Sequence, residues 1–316
     1  MKNRIIELDY LKGVLILIMV VFHLKPIEDG YPLCYAAVYT FHMPAFLIIS
    51  GYLANVEKNT KDFFRGIMRL IVPYVLFSII YIVMLFFLGK KMHARNTIDE
   101  LSITSVISKI FTHPQGPYWY LHTLIISTLM YSLSYRILKL QKMTALVITG
   151  VLLYGLTLLH SGLLWYNAMY FLLGIYIFRS GKTLTKMISP SYFALLALVI
   201  LFSSSDNYNR GSLAGVVITL LVISFLLATY SHCPNHLKRF FFYTGRNSLS
   251  IVVFAPIFTA TSKIVIPIFK FDPTAICYTI FALSFTVACC MLCAWLSDKL
   301  HISKYIFCRE RIYMKF

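Results

Sequence analysis

Apolar runs of about twenty residues recur along this chain with only short polar connections between them, and few folds accommodate that pattern. The runs lie at 9–25, 33–53, 70–88, 118–137, 143–160, 163–178, 190–204, 212–230, 249–268 and 274–297. In lipid every backbone N–H and C=O must be satisfied within the structure, so uninterrupted runs of this length predict helices; the strands of a membrane barrel would alternate in polarity over about ten residues. The expected fold is all-α, a polytopic integral membrane protein with about ten transmembrane helices. Its 316 residues are 59% hydrophobic and only 13% charged, far from soluble usage. No repeat, composition shift or low-complexity tract divides them, which predicts one membrane-embedded domain over 1–316 and no additional soluble domain.

A formal net charge of +17 would suggest nucleic acid in a soluble protein. Here its distribution points to the bilayer, and no nucleic-acid partner is expected. With the amino terminus inside, 21 of the Lys and Arg residues fall on inner segments and 8 on outer ones, namely Lys25, Lys90, Lys91, Arg95, Lys109, Arg210, Lys263 and Lys270. The inner set includes Lys2, Arg4, Lys12, Lys58, Arg65, Arg69, Lys238, Arg239, Arg246 and the tail after Trp295. The positive-inside rule then puts both termini in the cytoplasm, as an even number of spans requires. Lys2 and Arg4 ahead of the apolar stretch 14–24 mimic a signal peptide. Glu7 and Asp9 interrupt that charge, however, and Lys25-Pro26-Ile27 stands where a small-residue cleavage site would be, so the first span is expected to be retained.

Seven cysteines, an odd number and mostly in spans or on the inner side, imply no disulfide framework. Cys290 and Cys293 form a C-x-x-C pattern inside an apolar span, with no second pair or neighbouring histidine, and read as packing residues. All twelve acidic residues fall in loops or at span ends. Deep carboxylate pairs for glycoside hydrolysis or proton-coupled pumping are thus absent.

Ionisable residues within a span are costly and mark function. In the first run Asp9, Lys12 and His23 share one stripe, because three turns bring His23 back to within about 20° of Lys12. On a continuous helix His23 would stand roughly 16 Å above Lys12, about halfway through the hydrocarbon core. His42 lies in the second run and His122 near the outer end of the fourth, so three histidines share the outer half. No carboxylate or cysteine joins them at ligand spacing, and no metal is expected. The longest outer connection, 89–117, is the natural substrate lid and ends in the turn-forming run His113-Pro114-Gln115-Gly116-Pro117.

Five segments, in order, resemble the acyltransferase 3 family of membrane proteins. They are Leu8-Asp9-Tyr10-Leu11-Lys12-Gly13 with His23; Phe41-His42-Met43-Pro44 leading to Ser50-Gly51-Tyr52; Arg69-Leu70-Ile71-Val72-Pro73-Tyr74; Trp119-Tyr120-Leu121; and Thr244-Gly245-Arg246-Asn247-Ser248-Leu249-Ser250-Ile251. The resemblance implies transfer of an acyl group, usually acetyl from acetyl-CoA, to a sugar hydroxyl of an exported polysaccharide or lipid-linked glycan, in the bacterial inner membrane. It also implies catalytic roles for His23 and Lys12, with Asp9, His42, Ser50, Trp119, His122 and Asn247 supporting the site or binding substrate. Arg65, Arg69 and Arg246, with Lys238 and Arg239 nearby, can meet the phosphates of an acyl-CoA from the cytosol. Lys12 stands where the family usually has arginine, and Val252 and Ala255 stand where a tyrosine and a histidine are frequent. A glycan or lipid transporter without covalent chemistry, or a non-catalytic relative, are the competing expectations, and association with a second copy is compatible with the sequence.

Overall fold

A computed structural model describes residues 5–54, 59–89, 98, 101–159 and 162–315. Lys2, Arg4, Lys58, Lys90, Lys91 and Arg95 of the charge pattern, and part of the connection 89–117, lie outside the described residues. Fifteen α-helices follow in order among them: α1 (Ile6–Val21), α2 (Lys25–Gly30), α3 (Pro32–Leu53), α4 (Thr60–Leu88), α5 (Ile103–Phe111), α6 (Trp119–Ser132), α7 (Lys142–Leu159), α8 (Trp165–Arg179), α9 (Leu184–Met187), α10 (Phe193–Phe202), α11 (Leu213–His232), α12 (Asn235–Arg246), α13 (Ser248–Ser262), α14 (Ile276–Lys299) and α15 (Ser303–Ile306). A π-turn, Leu133–Ile137, extends α6, and a 3-10 segment, Lys263–Phe269, extends α13. No strand occurs among the described residues.

Among the described residues six helices are long and apolar enough to cross a membrane: α3, α4, α7, α11, α13 with its extension, and α14. The other four expected spans are also helical but shorter, at 16 residues for α1, 14 for α6, 15 for α8 and 10 for α10. The protein is an integral membrane protein. Its outward surface shows why such a chain cannot rest in water: Val147, Val151 and Leu158 of α7 and Phe193, Leu196, Val199 and Ile200 of α10 are all more than 60% exposed.

Two glycine crossings set the frame around the site. A Cβ on Gly51 of α3 would overlap the Phe171 carbonyl of α8, and one on Gly174 of α8 would overlap the Ile48 carbonyl of α3. The same reciprocity joins α1 to α12, where Gly13 lies against the Phe241 carbonyl and Gly245 against the Asp9 carbonyl. With little hydrophobic drive between helices in lipid, close backbone approach through small residues maximises van der Waals contact.

The first helix is shorter than its apolar run. α1 stops at Val21, and Phe22, His23 and Leu24 form a turn into α2, with the His23 amide donating to Val20 at 3.2 Å. Pro26 has no N–H to donate to the Phe22 carbonyl, which favours a break before it, and within the first turn of α2 that missing N–H costs nothing. His23 is therefore a turn residue beyond the helix end, rather than a mid-helix residue on the Lys12 stripe.

Candidate active site

Two separate cavities with no lining residue in common lie along the first apolar run, one at His23 beyond the end of α1 and one at Lys12 within it. The cavity at the His23 end holds about 370 Å³ and is lined by His23, Glu28, Tyr35, Tyr39, Trp119 and the turn 114–117, among others. That turn needs Gly116, which adopts φ 55 against the Tyr81 ring. The expected lid connection thus borders this cavity through its described C-terminal part.

The cavity at the Lys12 end holds about 400 Å³ and collects Lys12, Arg69, Arg246 and Arg309 beside Asp62. Its inner wall is Phe46, Ser50, Tyr120 and Leu121. Trp119 and Tyr120 are neighbours in sequence yet face different cavities, so the layer between the two spaces runs through the start of α6 and the middle of α3.

The His23 ring is fixed by its partners. Its Nδ1 lies 2.7 Å from the Met19 carbonyl, an acceptor only, so Nδ1 carries the proton and Nε2 is left as the basic atom. The Tyr39 hydroxyl donates to that Nε2 at 3.3 Å. His42 repeats the arrangement: Nδ1 donates to the Val38 carbonyl at 2.7 Å, and the buried Nε2 has no hydrogen-bond partner among the described residues. Ring centroids of His23 and His42 are 6.5 Å apart, with Tyr39 against both. His122 does not join them. Its Nε2 donates to the Phe111 carbonyl at 3.0 Å and its ring lies against Tyr74.

The other expected residues divide by position. Lys12 pairs with Asp9 at 2.8 Å and lines the cationic cavity. Ser50 lines it too, 2.7 Å from the Tyr120 hydroxyl. Arg69 and Arg246 face the cavity, whereas Arg65 lies outside its lining and pairs with Asp62 at 3.5 Å. Trp119 lines the His23 cavity and carries the Arg210 guanidinium 5.0 Å over its ring. Asn247 faces neither cavity. Its amide donates to the Met314 carbonyl at 3.0 Å and accepts from the Met314 amide at 2.9 Å, so it clamps the C-terminal segment. Val252, one of the two departures from the family pattern, lines the cationic cavity, and Ala255 is buried. Among the described residues no group of three or more His, Cys, Asp or Glu could hold a metal.

Sequence reasoning missed Tyr39, Tyr120, Arg210 and Arg309. Tyr39 was within reach, because it precedes His42 by three residues and shares its helix face. Arg309 was not, because a cation in the tail reads as membrane topology until the tail is seen folded back.

Residues 5–295 match the acyltransferase-domain family, nearly the whole chain. The chain belongs to the acyltransferase 3 family. Within this acyltransferase 3 protein, the five ordered segments supply Lys12, Ser50, Arg69, Tyr120 and Arg246 to the cationic cavity and His23 and Trp119 to the other. Among curated relatives it resembles a nodulation protein, NolL, of Mesorhizobium japonicum, 28% identical over 142 residues. It also resembles the NolL of Sinorhizobium fredii, 36% identical over 83 residues. The first match covers 41% of this chain and 35% of the relative, the second 23% of each. The chain thus matches about a third or less of these relatives' length. No solved structure matches it significantly.

Proposed function

We propose that the protein is a membrane O-acyltransferase that moves an acetyl group from acetyl-CoA to a hydroxyl of a sugar in a cell-surface or exported glycan. One observation carries this reading: a histidine whose basic nitrogen accepts from the Tyr39 hydroxyl borders one cavity, while four cations gather in a second, around Lys12 of the preceding helix. The cationic cavity suits the phosphates of the donor, and the aromatic His23 cavity suits a sugar, whose apolar faces stack on Tyr35, Tyr39 and Trp119.

In the proposed reaction Nε2 of His23 takes the proton of the acceptor hydroxyl as its oxygen attacks the thioester carbonyl carbon. The C–S bond breaks from the tetrahedral intermediate, the ester forms, and the coenzyme A thiolate takes the proton back from His23. General-base assistance of this kind is typically worth about 10²–10⁴-fold. The nucleotide would stay at the cationic end while the acyl arm passes the Ser50–Tyr120 layer toward His23.

In this reading α1, α6, α8 and α10 complete ten spans, both termini are cytoplasmic, and the host membrane is the bacterial inner membrane. Purified protein in nanodiscs, given acetyl-CoA labelled in its acetyl group and membrane-extracted glycan, tests it. Label should appear in the glycan as an alkali-labile ester. Hydrolysis without transfer, or no consumption of acetyl-CoA with any glycan fraction, would reject the reading.

A further inference from the structure

Beyond residue 295, where the family match ends, the chain folds back under the bundle. Phe307 is fully buried between Phe77 and Phe254. The Asp298 carboxylate accepts from the Ile312 amide at 3.0 Å and the Tyr313 amide at 2.9 Å, Asn247 holds Met314 from both sides, and the Tyr243 hydroxyl donates to that of Tyr313 at 3.2 Å. Cys308 is held at φ 49, a left-handed conformation that favours glycine, and its carbonyl accepts from Arg69 Nε at 3.2 Å. Such a backbone persists only where its surroundings over-determine it.

This strap delivers Arg309 into the cationic cavity beside Arg69 and Arg246. The Nε of Arg309 is buried without a hydrogen-bond partner, and no carboxylate forms an ion pair with any of the three arginines among the described residues. Burial and the neighbouring Arg69 charge both press the Arg309 guanidinium below its ordinary range. Three guanidinium groups around one cavity repel each other unless an anion lies between them, and their forked donors match phosphate oxygens.

We propose that Arg309, supplied by the C-terminal strap, completes with Arg69 and Arg246 a binding site for a soluble ligand bearing a pyrophosphate. It rests on the acetyl-CoA reading only in identifying that ligand as the nucleotide end of coenzyme A.

Binding of inorganic pyrophosphate, coenzyme A and pantetheine is measured calorimetrically on the full chain in maltoside micelles, which carry no phosphate. Arg309→Gln should weaken pyrophosphate and coenzyme A by roughly ten- to a hundredfold, the loss of one charge-assisted contact, and leave pantetheine unchanged. Arg309→Lys should fall between, and Glu310→Gln, an exposed neighbour, should match the unaltered protein. Arg309→Lys carries the test if Arg309→Gln does not fold. If folded Arg309 variants bind coenzyme A as tightly as the unaltered protein, the inference falls and the acetyl-CoA reading stands. If pyrophosphate binds but is displaced by phosphatidylglycerol and not by coenzyme A, the site belongs to a lipid headgroup and the inference is overturned. If neither pyrophosphate nor coenzyme A binds, both readings fail together.

Discussion

The Tyr39 hydroxyl donates to Nε2 of His23 at 3.3 Å, from a helix that follows the histidine by one short turn and α2. This contact occupies the nitrogen that the proposed chemistry needs, so an acceptor hydroxyl must share or replace it. In the proposed reaction Tyr39 thereby marks where the acceptor oxygen would sit.

His23→Ala should lower turnover by about 10²–10⁴-fold with a folded, membrane-inserted protein retained. Tyr39→Phe keeps the ring and removes one neutral hydrogen bond, so its effect on kcat/KM should be only about 2- to 12-fold, from roughly 0.5–1.5 kcal/mol. Steady-state kinetics in nanodiscs checks both. Activity retained by His23→Ala would remove this residue from the reaction.

Lys12 has two separable roles, as partner to the buried Asp9 and as one charge of the cationic cavity. Lys12→Arg should keep most acetyl-CoA affinity. Lys12→Met should raise the acetyl-CoA KM and lower thermal stability, the lost charged hydrogen bond being worth about 1.5–3 kcal/mol. Adding Asp9→Asn to Lys12→Met should restore part of the stability and none of the KM, which distinguishes the roles by melting temperature against kinetics.

Gly245 meets the Asp9 carbonyl so closely that a single methyl group forces α1 and α12 apart. Gly245→Ala should cost about 1–3 kcal/mol or more, and would displace both Lys12 and Arg246. A smaller folded fraction on size-exclusion chromatography, with acetyl-CoA KM raised in what survives, is the expected result.

The chain's own cysteines test its orientation. Cys34 and Cys277 are exposed near the ends of α3 and α14 that join through the Tyr31 hydroxyl and the Thr274 carbonyl, 2.9 Å apart. Cys233 is partly exposed at the opposite end, beside α12. In intact cells an impermeant maleimide should modify Cys34 and Cys277, and Cys233 only after permeabilisation; peptide mass spectrometry reads the sites. The reverse pattern would invert the proposed topology.

Asp272 caps the start of α14, accepting from the Cys277 amide at 2.7 Å and the Thr274 amide at 2.9 Å; with the Thr274 hydroxyl, these bonds hold its carboxyl at about 2. A depressed folded value contributes stability above the ordinary carboxylate range, and that stability is lost as pH falls through about 2. Asp272→Asn should therefore flatten the acid side of the melting curve between roughly pH 4 and 2, read by thermal denaturation in detergent.

The sequence made the helical membrane class legible because hydrocarbon permits so few backbone solutions, and it placed His23, Lys12, Arg69 and Arg246 at the cavities through short ordered segments. It could not show that α1 ends before His23, since apolar character continues through Leu24 while Pro26 sets the break from outside the run. Nor could it separate Arg65 from Arg69: both are cations near the same end of α4, and only packing turns one inward. Asn247 was legible as special but not as a clamp, because its partner Met314 is 67 residues away.

On the proposed topology, the layer of α3 and α6 side chains between the two cavities would keep the membrane electrically tight. A continuous water path through the bundle would short-circuit any ion gradient the host maintains, and carrying the donor's phosphates across would carry several uncompensated charges through lipid. With Phe46 and Leu121 buried at the wall of the cationic cavity, the proposed reaction asks only the acyl arm to pass that layer. On the proposed reading nucleotide and glycan would each stay in their own compartment, with the bilayer sealed between them.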